Sequence, residues 1–144
     1  MTPARTHSVA VAGVVVDPDG RVLVVQRRDN ARWEAPGGVL EPGETFQQGV
    51  AREVLEETGV QVSVEHLTGV YKNVVKDVIA IVFRCRPIAG DAAPTEESQR
   101  VEWWQLHEVR ARMMPAFAVR ITDAFEPPPA ARAHDGVDLL DGVS

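Results

Sequence analysis

Cysteine is nearly absent from this sequence of 144 residues, which contains only Cys85. A single cysteine excludes an intrachain disulfide, and the four histidines show no spacing that would suit a Cys/His zinc site. Cys85 lies in the apolar, β-prone stretch of residues 78–86, and we interpret it as a buried, unreactive thiol.

The sequence also lacks a long apolar run. Residues 9–16 form an N-terminal run of eight apolar or small residues, which is too short to cross a membrane. Residues 17–20 then read Asp-Pro-Asp-Gly, which is typical of a turn and unlike a signal-peptide cleavage site. We therefore expect a cytoplasmic protein that does not bind membranes.

Positive charge is scarce as well, because the sequence has 15 lysines and arginines and 21 aspartates and glutamates, which gives a net charge of −6. General affinity for nucleic acid or an anionic membrane needs a basic face, so we expect neither partner. A phosphate-bearing small molecule remains compatible with this charge, since metal ions can bridge an acidic protein and an acidic substrate. The length predicts one domain with a real core.

Segments of β-strand and helix character alternate along the chain, and they predict a mixed sheet covered by helices. The predicted strands are 7–16, 21–26, 60–75 with a bend at Gly69, 77–86, and 97–104 as the last one, with a short extended piece at 33–36. Strands 7–16 and 21–26 should form a hairpin. Residues 87–94 should be a loop.

Helices are predicted over residues 45–58, 106–112 and 115–125. Thr45 should cap the first helix together with Gln48, and Gly59 should end it. The three prolines at 127–129 then interrupt the chain. We expect a domain over residues 1–128 and a poorly packed C-terminal tail over 129–144.

The first predicted helix crowds Arg52, Glu53, Glu56 and Glu57 into two turns. At about 100° per residue, the three glutamates share roughly a third of the helix circumference, and Leu55 points the other way, towards the core. Like charges at these spacings destabilise a helix, and one guanidinium does not neutralise three carboxylates. A hard divalent cation, bound through carboxylate oxygens, would do so.

These residues belong to a longer pattern in residues 38–60, GVLEPGETFQQGVAREVLEETGV. The pattern is Gly38, five residues, Glu44, seven residues, Arg52-Glu53-Val54, one residue, Glu56-Glu57, one residue, Gly59-Val60. It resembles the Nudix box at every defined position. The resemblance implies a Nudix α/β/α sandwich with a mixed central sheet. It also implies hydrolysis of a nucleoside diphosphate linked to another group, with Mg²⁺ as the metal and Mn²⁺ as its substitute.

The resemblance further implies roles for individual residues of the box. The metal ligands would be Glu53, Glu56, Glu57 and the carbonyl of Gly37. Arg52 would hold the glutamates in place, and Glu44 would orient a metal-bound water or Arg52. The general base would be either a box glutamate or a glutamate of a later loop, for which Glu97 is the candidate and Glu96 the weaker one.

Substrate-binding candidates lie close to the box. Arg27 and Arg28 end a predicted strand, and either could hold a phosphate, since strand alternation does not decide between them. Gly38 would let the substrate approach the backbone. Trp33 could line a nucleotide pocket or pack in the core.

Three functions are compatible with this pattern. The small size resembles the nucleotide-sanitising, MutT-like branch, which favours a nucleoside triphosphate such as an oxidised dGTP. ADP-ribose or another diphosphate conjugate ranks lower, because no proline occurs in residues 74–76, where some ADP-ribose hydrolases carry one. A non-catalytic, nucleotide-binding regulator is disfavoured by the intact box. Apolar residues of the C-terminal segment would allow a homodimer.

Overall fold

The structure is a computed structural model that describes residues 4–140. Its elements follow in the order β1 (Ser8–Val15), β2 (Val22–Gln26), β3 (Trp33–Glu34), β4 (Gly37–Val39), α1 (Phe46–Thr58), β5 (Gln61–Asn73), β6 (Val78–Ala89), β7 (Arg100–Trp104), α2 (Leu106–Arg112), α3 (Pro115–Thr122) and β8 (Ala130–His134). A 3₁₀ turn, Asp123–Phe125, extends α3. No helix within residues 4–140 is long and apolar enough to cross a membrane.

The strands form two sheets. Five strands lie in the order β4-β1-β6-β5-β8, in which β1 runs parallel to β6 and β5 runs parallel to β8. The other neighbours of this sheet are antiparallel, so the predicted mixed sheet is confirmed. The second sheet is antiparallel and has the order β3-β2-β7.

Two hydrophobic clusters place helices on both sides of the strands, as the α/β/α prediction requires. One cluster contains Val50 and Val54 of α1 together with Leu23 and Phe83 from the strands. The other packs α2 and α3 against strand residues that include Tyr71 and Trp104. Because successive side chains of a strand point to opposite faces, the same strands contribute to both clusters.

The predicted hairpin of the first two strands is wrong. In the described part of the chain they are joined by the isolated bridge between Val16 and Val22 and by the bond from the N–H of Asp17 to the carbonyl of Arg21, and β1 and β2 continue into different sheets. Residues 22–25 are all buried, so β2 needs cover on both of its faces. A place in the smaller sheet provides that cover, because β2 there lies between the two hydrophobic clusters.

The predicted orientation of α1 also needs correction. Leu55 is 44% exposed, whereas Glu53 is only 8% exposed. The core side of the helix is formed by Val50 and Val54. The glutamate face is therefore turned along the protein surface towards β4, and Leu55 lies in solvent.

The tail is not poorly packed over the residues that the structure describes. Strand β8 pairs with β5 from Ala130 opposite Gly69 to His134 opposite Asn73, and His134 is fully buried. The strand that ends at Trp104 begins at Arg100 and is not the last one, and β6 extends into the predicted loop as far as Ala89. The boundary at residue 128 stays a prediction.

Candidate active site

Local interactions define both ends of α1, the helix of the box. The hydroxyl of Thr45 accepts a hydrogen bond from the backbone N–H of Gln48, whose side chain accepts one from the N–H of Thr45. This capping box satisfies two N–H groups that a helix start would leave without partners. Gly59 ends the helix with φ of +77°, a left-handed conformation that glycine adopts without strain.

Three carboxylates converge beside this helix. Oxygen atoms of Glu53, Glu57 and Glu97 all lie within 4.8 Å of one another. Burial, followed by the charges of Glu53 and Glu34, raises the pKa of Glu57 to about 9. The pKa of Glu97 is also raised, by burial first and then by Glu56 and Glu53. Repulsion between neighbouring carboxylates thus adds to the effect of burial at both residues.

This donor set fits a hard divalent cation. Carboxylate oxygens are the protein ligands that Mg²⁺, Ca²⁺ and Mn²⁺ prefer, and a cation among them would offset the repulsion that adds to the effect of burial on the pKa of Glu57. The backbone also makes room at this point. A Cβ atom at Gly38 would lie 2.6 Å from Oε2 of Glu53, so only glycine leaves that carboxylate where it is.

Arg52 lies at the centre of a second group of acidic residues. Its Nε and Nη2 donate to the two oxygens of Glu44 at 2.6 and 2.8 Å, and these bonds lower the pKa of Glu44 to about 2. Its Nη1 donates to Glu53 at 2.8 Å and to Glu56 at 3.2 Å. Glu56 thus contacts the guanidinium, and it is not part of the three-carboxylate group.

The remaining residue of the predicted metal set, Gly37, adjoins Glu57. Its backbone N–H donates to Oε1 of Glu57 at 3.3 Å. Gly37 and Gly38 also line the cleft described below, so the two glycines separate that cleft from the carboxylates.

The two arginines at the end of β2 have different partners. Arg27 forms ion pairs with Asp29 at 2.7 Å and with Glu34 at 3.2 Å. Arg28 instead donates from Nε to the carbonyl of Glu96 at 3.0 Å and from Nη2 to the carbonyl of Thr95 at 2.9 Å. Arg28 therefore holds the loop that carries Glu97, a contact between segments nearly 70 residues apart in the sequence.

Next to the carboxylates lies an open cleft of about 470 Å³ between β1, α3 and the C-terminal segment. Sequence reasoning missed most of its polar residues, which are Asn30, Arg32, Glu34, Asn73, Lys76, Arg120 and Asp135. They come from four separate stretches of the chain, residues 30–34, residues 73–76, Arg120 and Asp135, and no local pattern links these stretches. Arg27, Asp29 and Glu34 also line the smaller pocket that holds Glu57 and Glu97, so the cleft and the carboxylates adjoin.

Trp33 packs against the protein interior. Its ring centroid lies 4.6 Å from that of Trp104, and the guanidinium of Arg112 lies 4.0 Å from the Trp104 ring on the same side. Trp33 does not line the 470 Å³ cleft. Of the two roles that the sequence left open for this residue, core packing agrees with this position.

Comparison with known proteins links this geometry to a family. A family model described as the NUDIX domain matches residues 6–125. A MutT-like protein of Streptomyces ambofaciens is 52% identical over 140 residues, which covers 96% of this chain and 91% of that protein. An ADP-ribose pyrophosphatase of Methanocaldococcus jannaschii is 34% identical over 109 residues, covering 71% of this chain and 64% of that protein.

The fold has close counterparts among solved structures. The crystal structure of a NUDIX hydrolase from Nitrosomonas europaea superimposes with a TM-score of 0.76 at 24% identity. The match covers 91% of this chain and 79% of that chain. At this identity the likeness concerns the fold.

Proposed function

The chain belongs to the NUDIX family of hydrolases, and from that premise we propose that it is a Mg²⁺-dependent nucleoside triphosphate pyrophosphohydrolase. Its substrate would be a nucleotide such as an oxidised dGTP, cleaved to the monophosphate and pyrophosphate. Mn²⁺ would substitute for Mg²⁺. The observation that carries the proposal is the convergence of Glu53, Glu57 and Glu97 within 4.8 Å, next to a cleft large enough for a nucleoside.

Each residue of the site has a role in this proposal. Glu53 and Glu57 would hold the metal, together with Glu56 after a side-chain rotation and the carbonyl of Gly37. When bound, Mg²⁺ neutralises phosphoryl oxygens and makes a bound water more acidic. Arg52 would fix the orientation of Glu53, and Glu44 would fix Arg52, since their hydrogen bonds form a chain.

Glu97 is the proposed general base. A water molecule gives one proton to the Glu97 carboxylate as its oxygen bonds to the attacked phosphorus with the other proton; the P–O bond to the leaving group breaks, and the bridging oxygen leaves with that group. The Glu97 carboxylate lies within 4.8 Å of those of Glu53 and Glu57, which places it beside the proposed metal ligands. A glutamate of the box is the alternative base.

A nucleotide panel tests the reaction. We expect Mg²⁺-dependent release of pyrophosphate from nucleoside triphosphates and its loss on removal of the metal by EDTA. Glu57→Gln removes one ligand charge and should lower kcat at least 100-fold with an unchanged circular dichroism spectrum. Turnover near the wild-type rate in this variant would contradict the proposal.

The base is tested separately with Glu97→Gln. We expect kcat to fall between about 10²-fold and 10⁴-fold, the usual contribution of a general base. A loss below about 10-fold would place the base within the box. The matched control is Glu96→Gln, which alters the neighbouring residue of the same loop.

Hydrolysis of ADP-ribose is the second candidate, because a relative that is 34% identical bears the name ADP-ribose pyrophosphatase. The same panel distinguishes the two, since ADP-ribose would give AMP and ribose 5-phosphate without pyrophosphate. A regulator that only binds nucleotides would release no product from any member of the panel. A cytoplasmic location and a homodimer stay predictions of the sequence.

A further inference from the structure

We propose that the 470 Å³ cleft selects nucleobases by a carbonyl edge, and that Arg120 and Asn73 are the residues that determine this specificity. The inference deepens the proposed function and rests on it. It favours 6-oxopurines and 4-oxopyrimidines over the corresponding amino bases. Two polar side chains of the cleft, Arg120 and Asn73, have donor groups without an acceptor among residues 4–140.

Within residues 4–140, Arg120 is a cation of the cleft without an acidic partner. Its Nη2 lies 3.1 Å from Nε2 of His134 and its Nε is fully buried, whereas its Nη1 forms no hydrogen bond in the described part of the chain and is accessible from the cleft. Burial lowers the pKa of Arg120, and the charge of Glu34 opposes this effect only in part. Glu34 is itself bound by Arg27. The guanidinium can only donate, so the group that completes its environment is an acceptor.

Aromatic rings fix the position of this guanidinium. Its central carbon lies 4.8 Å from the ring centre of Phe117 and 5.5 Å from that of Tyr71. Phe117 and Arg120 both line the cleft, so a base bound there would contact an aromatic ring and a guanidinium. The arrangement places a stacking surface and a donor on the same wall.

Asn73 provides the second donor. This residue is only 9% exposed, and its Oδ1 accepts from the backbone N–H groups of Val75 at 3.0 Å and Lys76 at 3.1 Å. These two donors fix the orientation of the amide, because in the flipped orientation the NH₂ group would face two N–H donors. Nδ2 then has no partner among residues 4–140. It adjoins Gly136, where a Cβ would lie 3.5 Å away.

Small side chains leave space in front of these donors. Ala10 and Ala80 pair across β1 and β6, and with Ala12 they form the floor of the cleft. The C-terminal segment forms the opposite wall through Asp135, Gly136 and Val137. The carbonyl of Val137 is in turn fixed by the N–H of Ala116 in α3, at 2.9 Å. The segment that follows β8 is therefore part of the binding site.

The chemistry of the bases then decides the preference. A 6-oxopurine or 4-oxopyrimidine presents a carbonyl oxygen, which accepts from the donors of Arg120 and Asn73. A 6-aminopurine or 4-aminopyrimidine presents an NH₂ group at the same place. This donor would face the donors of Arg120 and Asn73, and all of these groups would stay without hydrogen-bond acceptors. Sites built from hydrogen bonds discriminate strongly against ligands that leave those groups unpaired.

The experiment compares inosine triphosphate with ATP, and UTP with CTP, since each pair carries an oxo or an amino group at the same ring position. We expect kcat/KM to favour the oxo substrate at least about 10-fold in both pairs. Arg120→Gln should lower this ratio towards 1, with the Asn73 donor retaining part of the preference. Arg110→Gln, an exposed arginine of α2, is the matched control and should leave the ratio unchanged.

Asn73→Asp keeps an oxygen for the N–H groups of Val75 and Lys76 and replaces the donor by an acceptor. This variant should fold even if Arg120→Gln does not, and it should shift the preference towards the amino substrates by at least about 10-fold. Melting temperatures of all variants check the fold. A mainly structural role of either residue would lower kcat/KM for both members of a pair equally, and an unchanged ratio would overturn the inference.

The outcome separates this inference from the function on which it rests. If the wild-type protein hydrolyses the triphosphates without preference, the pyrophosphohydrolase stands and the carbonyl-edge selectivity is wrong. If it hydrolyses no triphosphate, the proposed function is wrong and the selectivity falls with it.

Discussion

The hydroxyl of Ser98 donates a 2.7 Å hydrogen bond to the backbone carbonyl of Glu57, which joins the loop of Glu97 to the last turn of α1. On the other flank of this loop, Arg28 donates to the carbonyls of Thr95 and Glu96. The proposed base is thus held on both sides relative to the carboxylate group. Its position depends on contacts that exist before a substrate binds.

Arg28→Lys tests whether this arginine positions the loop. A lysine ammonium cannot reproduce the two parallel bonds of the guanidinium, so Glu97 should lose its fixed position. We expect kcat to fall about 10-fold, with KM for the nucleotide changed less than about 2-fold. Steady-state kinetics measure both constants.

The alternative for Arg28 is the phosphate contact that the sequence suggested. Loss of such a contact would raise KM, and that result would contradict the positioning role. Arg21→Lys, in the exposed turn before β2, is the matched control and should change neither constant.

Gly38→Ala tests the close approach of backbone and carboxylate. The added Cβ would lie within 2.7 Å of all three carboxyl atoms of Glu53, so this carboxylate must leave its position in the group. Loss of the contacts that orient a metal ligand typically costs about 10-fold to 100-fold in metal affinity, and we expect an increase of about that size in the Mg²⁺ concentration for half-maximal activity. A titration of activity with MgCl₂ measures it.

Gly20→Ala serves as the control for this prediction. Gly20 has φ of +81° and no atom within 4 Å of an added Cβ. Alanine there adds backbone strain of roughly 1–2 kcal/mol and no clash. The melting temperature should therefore fall while the Mg²⁺ requirement stays the same, and an unchanged requirement in Gly38→Ala as well would contradict the prediction.

Features that depend on local chemistry could be predicted from the sequence. The capping box of Thr45 and Gln48, the end of α1 at Gly59 and the shared face of Glu53 and Glu57 follow from neighbours within four residues. The orientation of Leu55 could not be predicted, because periodicity shows only which residues share a face of the helix. It does not show which face meets the sheet when an acidic site replaces part of the core.

Features that depend on contacts between distant parts of the chain could not be predicted from the sequence. Strand β8 reads Ala-Ala-Arg-Ala-His, without β-branched residues or clear alternation, and it forms because the edge of β5 is available to it. The cleft residues Asn73, Arg120 and Asp135 meet only because this strand brings the C-terminal segment to α3. Only knowledge of the pairing between β8 and β5 would have pointed to these residues, and a single sequence does not contain that information.

Cys85 should be unreactive in the folded protein. Burial raises the pKa of its thiol to about 12, so at pH 8 roughly one molecule in 10⁴ carries the reactive thiolate. We expect no reaction with Ellman's reagent over an hour in buffer, and rapid reaction of one thiol in guanidinium chloride. Reaction of the native protein at the unfolded rate would contradict the buried position.

Tyr71→Phe should destabilise the fold through Asp123. The Tyr71 hydroxyl donates to Oδ2 of this buried carboxylate at 2.8 Å, and Arg132 of β8 donates to both of its oxygens at 2.7 and 2.8 Å. Burial and the bond to Asp123 raise the pKa of Tyr71, so the phenol stays a donor at all ordinary pH values. Removing it leaves the carboxylate with one partner, at a cost of roughly 1–2 kcal/mol.

Calorimetry should show this cost as a fall in Tm of about 3–6 °C. Val75→Ala, which shortens an exposed side chain, should change Tm by less than about 1 °C. Tyr71 does not line the cleft, so kcat well below Tm should stay within about 2-fold of the wild-type value. A fall in kcat with an unchanged Tm would instead show that this network acts on the site through Arg120, which lies over the Tyr71 ring.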